Sequence, residues 1–300
     1  MRPRSLLFTL FGDFVRNYGG EIWVGSLIRL MQEFDIAPQA VRVALSRITA
    51  DGWLRNRRLG RKSFYGLTAQ GERRMAEAAS RIYKLDNLAW NGEWLIMTYT
   101  IPEKRKVVRD KIRRELSWTG FGQLASSVWI SPRDLRPQLI EIAERYDIAP
   151  HLDFFTARYR GPAENQRLID KCWNLAAIQQ GYAAFIEVYR SKLDQQRPLS
   201  DERCFCEEIQ LIHGYRKFLF SDPGLPDDLL PGTWLGHEAA HIMRAYYQYV
   251  APGAHRFFES VFVGHPDNAA FIKKLGQHPR LDPFAEELRR QQQQSSAVDL

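Results

Sequence analysis

Pro38-Gln39-Ala40-Val41-Arg42-Val43-Ala44-Leu45-Ser46-Arg47-Ile48 is the stretch from which the fold is read. At about 100° per residue, the period of an α-helix, Val41, Ala44, Leu45 and Ile48 share one face. Gln39, Arg42, Val43 and Ser46 lie opposite, and Arg47 adds a second guanidinium on the same helix. The first set suits docking on a core. The second set matches the edges of bases in a major groove: an amide for adenine, a guanidinium for guanine O6 and N7, and a small apolar group for a thymine methyl. Such groups belong in the N-terminal half of a recognition helix.

The flanking sequence fits that reading. Upstream, a helix is predicted from Pro3 to about Asn17, broken by Gly19-Gly20, and a second from Val24 to Phe34. Downstream, Gly52 suits a left-handed cap for a helix begun at Pro38. Trp53 to Leu59 and Ser63 to Leu67 then flank Gly60-Arg61-Lys62, two short strands about a glycine-containing turn, and Thr68 caps a further helix to about Tyr83. Three helices, a hairpin and a helix is the order of a winged helix-turn-helix. The hairpin carries Arg55, Arg57, Arg58, Arg61 and Lys62, placed to follow a phosphate backbone or enter a minor groove. Gln39, Arg42, Val43, Ser46, Arg47 and these five cations are the expected DNA-binding residues.

Charge points the same way. The 300 residues carry a net +7, but residues 1–84 hold 15 Lys/Arg against 7 Asp/Glu, and the rest hold 27 against 28. A basic excess confined to one segment implies a polyanionic partner. No apolar run is long enough to span a bilayer. Three cysteines, Cys172, Cys204 and Cys206, without a zinc-knuckle spacing, fit a reduced cytoplasmic compartment and no structural metal.

Beyond the first segment the fold class is α+β. From 90 to 160 the pattern runs strand (Trp94–Ile101), helix (Pro102–Trp118), a short strand pair (Gly120–Leu124 and Ser127–Ile130), helix (Leu135–Tyr146) and strand (His151–Thr156). That is the β-α-β-β-α-β order of a ferredoxin-like domain. From 161 to 290 an all-helical domain is expected, with helices Ala163–Leu193, Asp201–Phe220, Pro231–Val250 and Asn268–Leu275. Ala251-Pro252-Gly253 is read as a breaker, and 291–300 as a flexible tail.

Several stretches together resemble the PaaX family of repressors of phenylacetate-degradation operons. They are Gly19-Gly20-Glu21-Ile22-Trp23-Val24-Gly25-Ser26-Leu27, Val41-Arg42-Val43-Ala44-Leu45-Ser46-Arg47, Asp51-Gly52-Trp53-Leu54 and Gly60-Arg61-Lys62-Ser63-Phe64-Tyr65. Trp118-Thr119-Gly120-Phe121-Gly122, Cys172-Trp173-Asn174-Leu175 and Trp234-Leu235-Gly236-His237 extend the likeness through all three segments. The resemblance implies a winged-helix domain, a Cas2-like middle domain and a helical C-terminal domain. It also implies a homodimer that represses catabolic genes and leaves its operator on binding an aryl-CoA effector, phenylacetyl-CoA. It names no effector-contacting residue.

Three other constellations were candidates for chemistry. His237-Glu238-Ala239-Ala240-His241 has the H-E-x-x-H form of zinc hydrolases, with Glu259 downstream as a third ligand. On a helical wheel these histidines share a polar face with Arg244 and Gln248, and that cation disfavours Zn²⁺; the hydrolase is therefore the alternative, and no catalytic or metal residue is expected. Lys104, Arg105, Lys106, Arg109, Lys111, Arg113 and Arg114 could meet the phosphates of a CoA, but Glu103, Asp110 and Glu115 offset them, as on a solvated helix face. The aromatic residues of the last segment, Trp173, Tyr182, Phe185, Trp234, Tyr246, Tyr247, Phe257 and Phe258, read mainly as helix-packing core.

Overall fold

A computed structural model describes residues 2–83, 89–161, 164–195, 197–268 and 283–284. The chain divides into two compact units. One holds Met1–Lys84, Glu187–Arg216 and Ala240–Leu300; the other holds Leu85–Ile186 and Lys217–Ala239. The helical third segment of the sequence is thus apportioned between both units.

In the first unit, helix α1 (Pro3–Asp13) starts with proline in its first turn and buries Leu6, Leu7, Leu10 and Phe11. A 3-10 turn over Val15–Tyr18 ends at Gly19, whose φ of 89° is open to glycine at little cost. Strand β1 (Glu21–Trp23), helix α2 (Val24–Gln32) and helix α3 (Pro38–Ala50) follow. Strands β2 (Leu54–Leu59) and β3 (Lys62–Leu67) form a tight hairpin in which Leu59 pairs Lys62 and Gly60 takes φ 57°. Helix α4 (Ala69–Ile82) is capped by Thr68, whose side chain accepts from the Gly71 amide at 3.1 Å. The sheet order is β1-β3-β2, all antiparallel. The sequence reading had no strand at 21–23. Three residues are too few to show a period of two, and the strand exists because β3 offers it an edge.

In the second unit the order is β4 (Trp94–Tyr99), α5 (Lys106–Thr119), β5 (Gly122–Ala125), β6 (Val128–Ser131), α6 (Arg136–Arg145) and β7 (Leu152–Ala157). The four strands lie β5-β6-β4-β7, antiparallel throughout, in the expected split β-α-β-β-α-β arrangement. Alternation along β4 sends Leu95, Met97 and Tyr99 into a core with Ile112, Leu116, Leu139 and Ile142 of α5 and α6. Trp94 faces the other way, packing with Ile169, Leu225 and Leu229.

The last segment departs from the sequence reading in three places. The single helix expected over 163–193 is two, α7 (Gln166–Cys172) and α8 (Leu175–Gln195). Trp173 is extended, and Asn174 caps α8 by accepting from the Ala177 amide at 3.0 Å. Helix α9 (Asp201–Tyr215) begins at Ser200, which accepts from the Arg203 amide, and gives way to a 3-10 turn over Arg216–Phe220. Helix α10 (Gly236–Val261) starts later than expected and runs through Ala251-Pro252-Gly253 without breaking. An interior proline costs roughly 3 kcal/mol. Val250, Ala254, Phe257 and Phe258 are all buried around it, and burial of two such aromatic residues offsets that cost. The expected helix 268–275 and the tail 291–300 lie, apart from Asn268, outside the described residues. Among the described residues no helix is long and apolar enough to cross a membrane.

Buried polar contacts join α1 and its following turn to the helices of the same unit. Tyr83 donates to Asp13 Oδ1 at 2.5 Å, deep in the interior beside Glu208 of α9. The Tyr18 hydroxyl donates to Glu259 at 2.7 Å and meets His255 Nδ1 at 2.9 Å, both on α10. Phe14 packs on Phe205 and Phe258 between these contacts.

Candidate nucleic-acid interface

Helix α3 is held by its apolar stripe. Val41, Leu45 and Ile48 are at most 1% exposed and Ala44 is buried, with α1, α2 and β2 as neighbours. Removing those three large side chains from water stabilises the docked helix by about 1.5–3 kcal/mol each. The opposite face is left outward. Gln39, Arg42, Val43, Ser46 and Arg47 are all exposed, Val43 at 40%. An apolar residue that open, between two arginines and a serine, does nothing for the core. Every sequence-predicted residue of this helix therefore stands on one accessible surface.

The hairpin residues separate into two groups. Arg58, Arg61 and Lys62 are exposed at the hairpin end, with Lys62 Nζ 5.1 Å from the Trp23 ring centre. Among the described residues, Arg42, Arg47, Arg58 and Arg61 make no ion pair or side-chain hydrogen bond. Asp51, the one acid in this stretch, is tied to Arg4 at 2.5 Å, so its charge is offset. Arg55 and Arg57 are engaged within the protein. Glu21 of β1, only 2% exposed at its side chain, accepts from Arg55 Nε at 3.1 Å and from Arg57 Nη2 at 2.6 Å. Arg57 Nη1 also donates to Asp267 at 3.1 Å. The Glu21 hydrogen bond is the chief reason that the Arg57 pKa is raised.

Glu21 was missed as a site residue. It sits directly across β3 from Arg55, with Gly66 between them. A Cβ at Gly66 would come within 2.6 Å of Glu21 Cγ and 2.8 Å of the Gly20 carbonyl oxygen. The missing side chain is what lets the carboxylate cross the strand. An isolated glycine inside a strand is the available sequence signal for such an approach.

The H-E-x-x-H stretch does not assemble as a metal centre. His237 and His241 are exposed on α10, and His237 Nε2 is 2.9 Å from Asp227. Glu259 lies 18 residues beyond His241 on the same helix, about 27 Å by helical rise, and bonds Tyr18 instead. Its reading as third ligand is thereby corrected. Among the described residues no group of three or more His, Cys, Asp or Glu is placed to hold a metal. The basic run from Lys104 to Arg114 is partly taken up internally: Arg109 pairs with Glu103 at 2.8 Å, and Arg105 donates to the carbonyls of Tyr146 and Asp147.

Comparison with known proteins accounts for most of the chain. The PaaX-like protein family matches residues 2–71, the PaaX central Cas2-like domain 87–169, and the PaaX-like C-terminal domain 173–260. The transcriptional repressor PaaX of Escherichia coli (strain K12) is 34% identical over 260 residues, which span 84% of this chain and 82% of that protein. A solved structure, the uncharacterized protein Rv0674 from Mycobacterium tuberculosis, superposes with a TM-score of 0.53 at 23% identity. It covers 86% of this chain and 97% of its own, a likeness of fold alone.

Proposed function

The chain belongs to the PaaX family, and from that premise we propose that it is a DNA-binding transcriptional repressor acting in the cytoplasm by binding and not by catalysis. In this reading residues 1–84 are a winged helix-turn-helix with α3 as recognition helix and β2–β3 as wing, residues 90–160 are the Cas2-like domain, and the described residues between 164 and 268 are the helical segment, divided between the two compact units. The observation that carries it is the outward face of α3: Gln39, Arg42, Val43, Ser46 and Arg47 are exposed together, and the wing adds Arg58, Arg61 and Lys62. Base-reading groups on a docked helix, beside cations that can meet phosphate, are the two components of sequence-specific binding. The Escherichia coli relative, a transcriptional repressor, supports the sign of regulation.

The effector reading follows the family. Phenylacetyl-CoA, or another aryl-CoA thioester, binds a state of a homodimer with lower operator affinity and so releases it. Two copies would set two recognition helices on half-sites about one helical turn apart. The test is a gel-shift on the protein's own upstream DNA. Retention without ligand, and release by phenylacetyl-CoA but not by free phenylacetate, is the expected result. Failure to retain duplex DNA in dilute salt overturns the regulator reading. Retention indifferent to every CoA ester overturns the effector alone.

A further inference from the structure

Arg57 is held by two carboxylates of unlike standing. Glu21 is buried against it, passing over Gly66 to reach Nη2. Asp267 takes Nη1 from outside and is 66% exposed. Asp267 is nonetheless fixed in place by the backbone around it. Just after α10, the Val263 carbonyl accepts from the Trp23 amide at 2.8 Å, and Gly264 bridges to Ile22. His265 packs edge-on to Phe64 at 5.0 Å, and Asn268 donates to the Gly19 carbonyl at 2.8 Å. Phe64 is the cross-strand partner of Arg57, so the segment 263–268 covers the sheet face on which that arginine lies.

We propose that Arg57 Nη1 is a DNA-phosphate site which Asp267 occupies in the free protein, as an internal competitor that DNA must displace. The inference rests on the DNA-binding reading above. A phosphodiester carries the same single charge as a carboxylate and the same acceptor geometry for a guanidinium. An exposed ion pair is weak enough to exchange, whereas the buried Glu21 contact persists and keeps the guanidinium aimed outward. Because Asp267 lies six residues beyond the end of α10 at Val261, a displacement of that helix end alters how well it competes. The wing's hold on phosphate is thereby coupled to the C-terminal segment.

The full-length protein is titrated with a fluorescent duplex of its upstream region and with a mixed-sequence duplex, at low salt. The proteins are the wild type, Asp267→Asn, Arg57→Gln and the double variant, with Arg42→Ala in parallel. Asp267→Asn is expected to bind both duplexes about two- to five-fold more tightly, the range that an exposed ion pair spans. Arg57→Gln binds both more weakly, and adding Asp267→Asn to it changes nothing. Unchanged affinity in Asp267→Asn overturns the proposal. So does an equal gain in the Arg57→Gln background, since that is bulk charge repulsion without competition. If Arg42→Ala weakens binding while Asp267→Asn does nothing, only the competitor falls. If Arg42→Ala and Arg57→Gln both bind as the wild type does, the DNA-binding reading falls with it.

Discussion

Replacing Asp13 by Asn should stabilise the protein above pH 6 and leave it little changed at pH 4. Asp13 closes α1 inside the protein, with the Tyr83 hydroxyl at 2.5 Å and the Glu208 carboxyl as its second partner. Burial lifts its pKa from 3.8 to about 6, against the opposing effect of the hydrogen bonds from Glu208 and Tyr83. The same burial, with Asp13 next to it, raises the Tyr83 phenol, and Arg16 acts in the opposite direction. A carboxyl whose folded pKa exceeds its unfolded one binds more protons when folded between the two values. Stability therefore falls as pH rises from about 4 to about 6. A gap of about two pKa units corresponds to roughly 3 kcal/mol, lost by neutral pH. Asn removes the Asp13 share of that titration and leaves Glu208 as the one buried carboxyl at this position, while its side-chain oxygen still accepts from Tyr83 and its amide can donate to Glu208. Urea unfolding of both proteins at pH 4, 5, 6 and 7 gives the difference directly. The expected advantage of Asp13→Asn grows from near zero to a few kcal/mol across that interval. A difference that is constant with pH, or that favours Asp13 at pH 7, refutes a buried carboxylate under strain at the end of α1.

Further outcomes follow from the interface. Arg42→Ala should cost roughly 1–3 kcal/mol on the specific duplex and relax the base preference at one position, measured by competition among single-base operator variants. Arg58→Ala and Arg61→Ala should instead weaken specific and mixed-sequence DNA alike, each lowering the slope of log K against log salt by about 0.9 in salt titrations. Gly66→Ala should destabilise by about 1–3 kcal/mol in thermal or urea unfolding, because the new methyl meets the Gly20 carbonyl and Glu21 Cγ and part of the strand must shift. Purified wild type and His237→Ala should hold the same substoichiometric zinc by metal analysis; zinc at one equivalent, lost in the variant, would reinstate a metal centre at the head of α10.

The features legible in the sequence are those that a helix or strand declares in its own few residues. The two faces of α3 follow from a period of 3.6, and Val41, Ala44, Leu45 and Ile48 are the buried set as the wheel requires. The central strand and helix order is legible for the same reason. Features set by distant partners are not. The passage of α10 through Pro252 depends on aromatic residues just after α1 and in α9: Phe14 on Phe258, Phe205 on Phe257. It also depends on a close approach in which a Cβ at Gly253 would come within 2.6 Å of Cys204 Sγ. Local propensity sees only the breaker.

The same division governs the candidate site, where counting charge misjudges which arginines can act. Residues 1–84 carry an excess of +8 by composition, and the five hairpin cations look equivalent in the sequence. Folding distinguishes them. A three-residue strand places Glu21 beneath Arg55 and Arg57, and a segment some two hundred residues away adds Asp267. A guanidinium already hydrogen-bonded to a carboxylate must give up that partner before it gains from a phosphate, so its net contribution to binding is the difference between two similar contacts. Arg42, Arg47, Arg58 and Arg61, which have no such partner among the described residues, give up only water. In the proposed DNA-binding reading these four are expected to provide most of the affinity, and Arg57 a means of changing it.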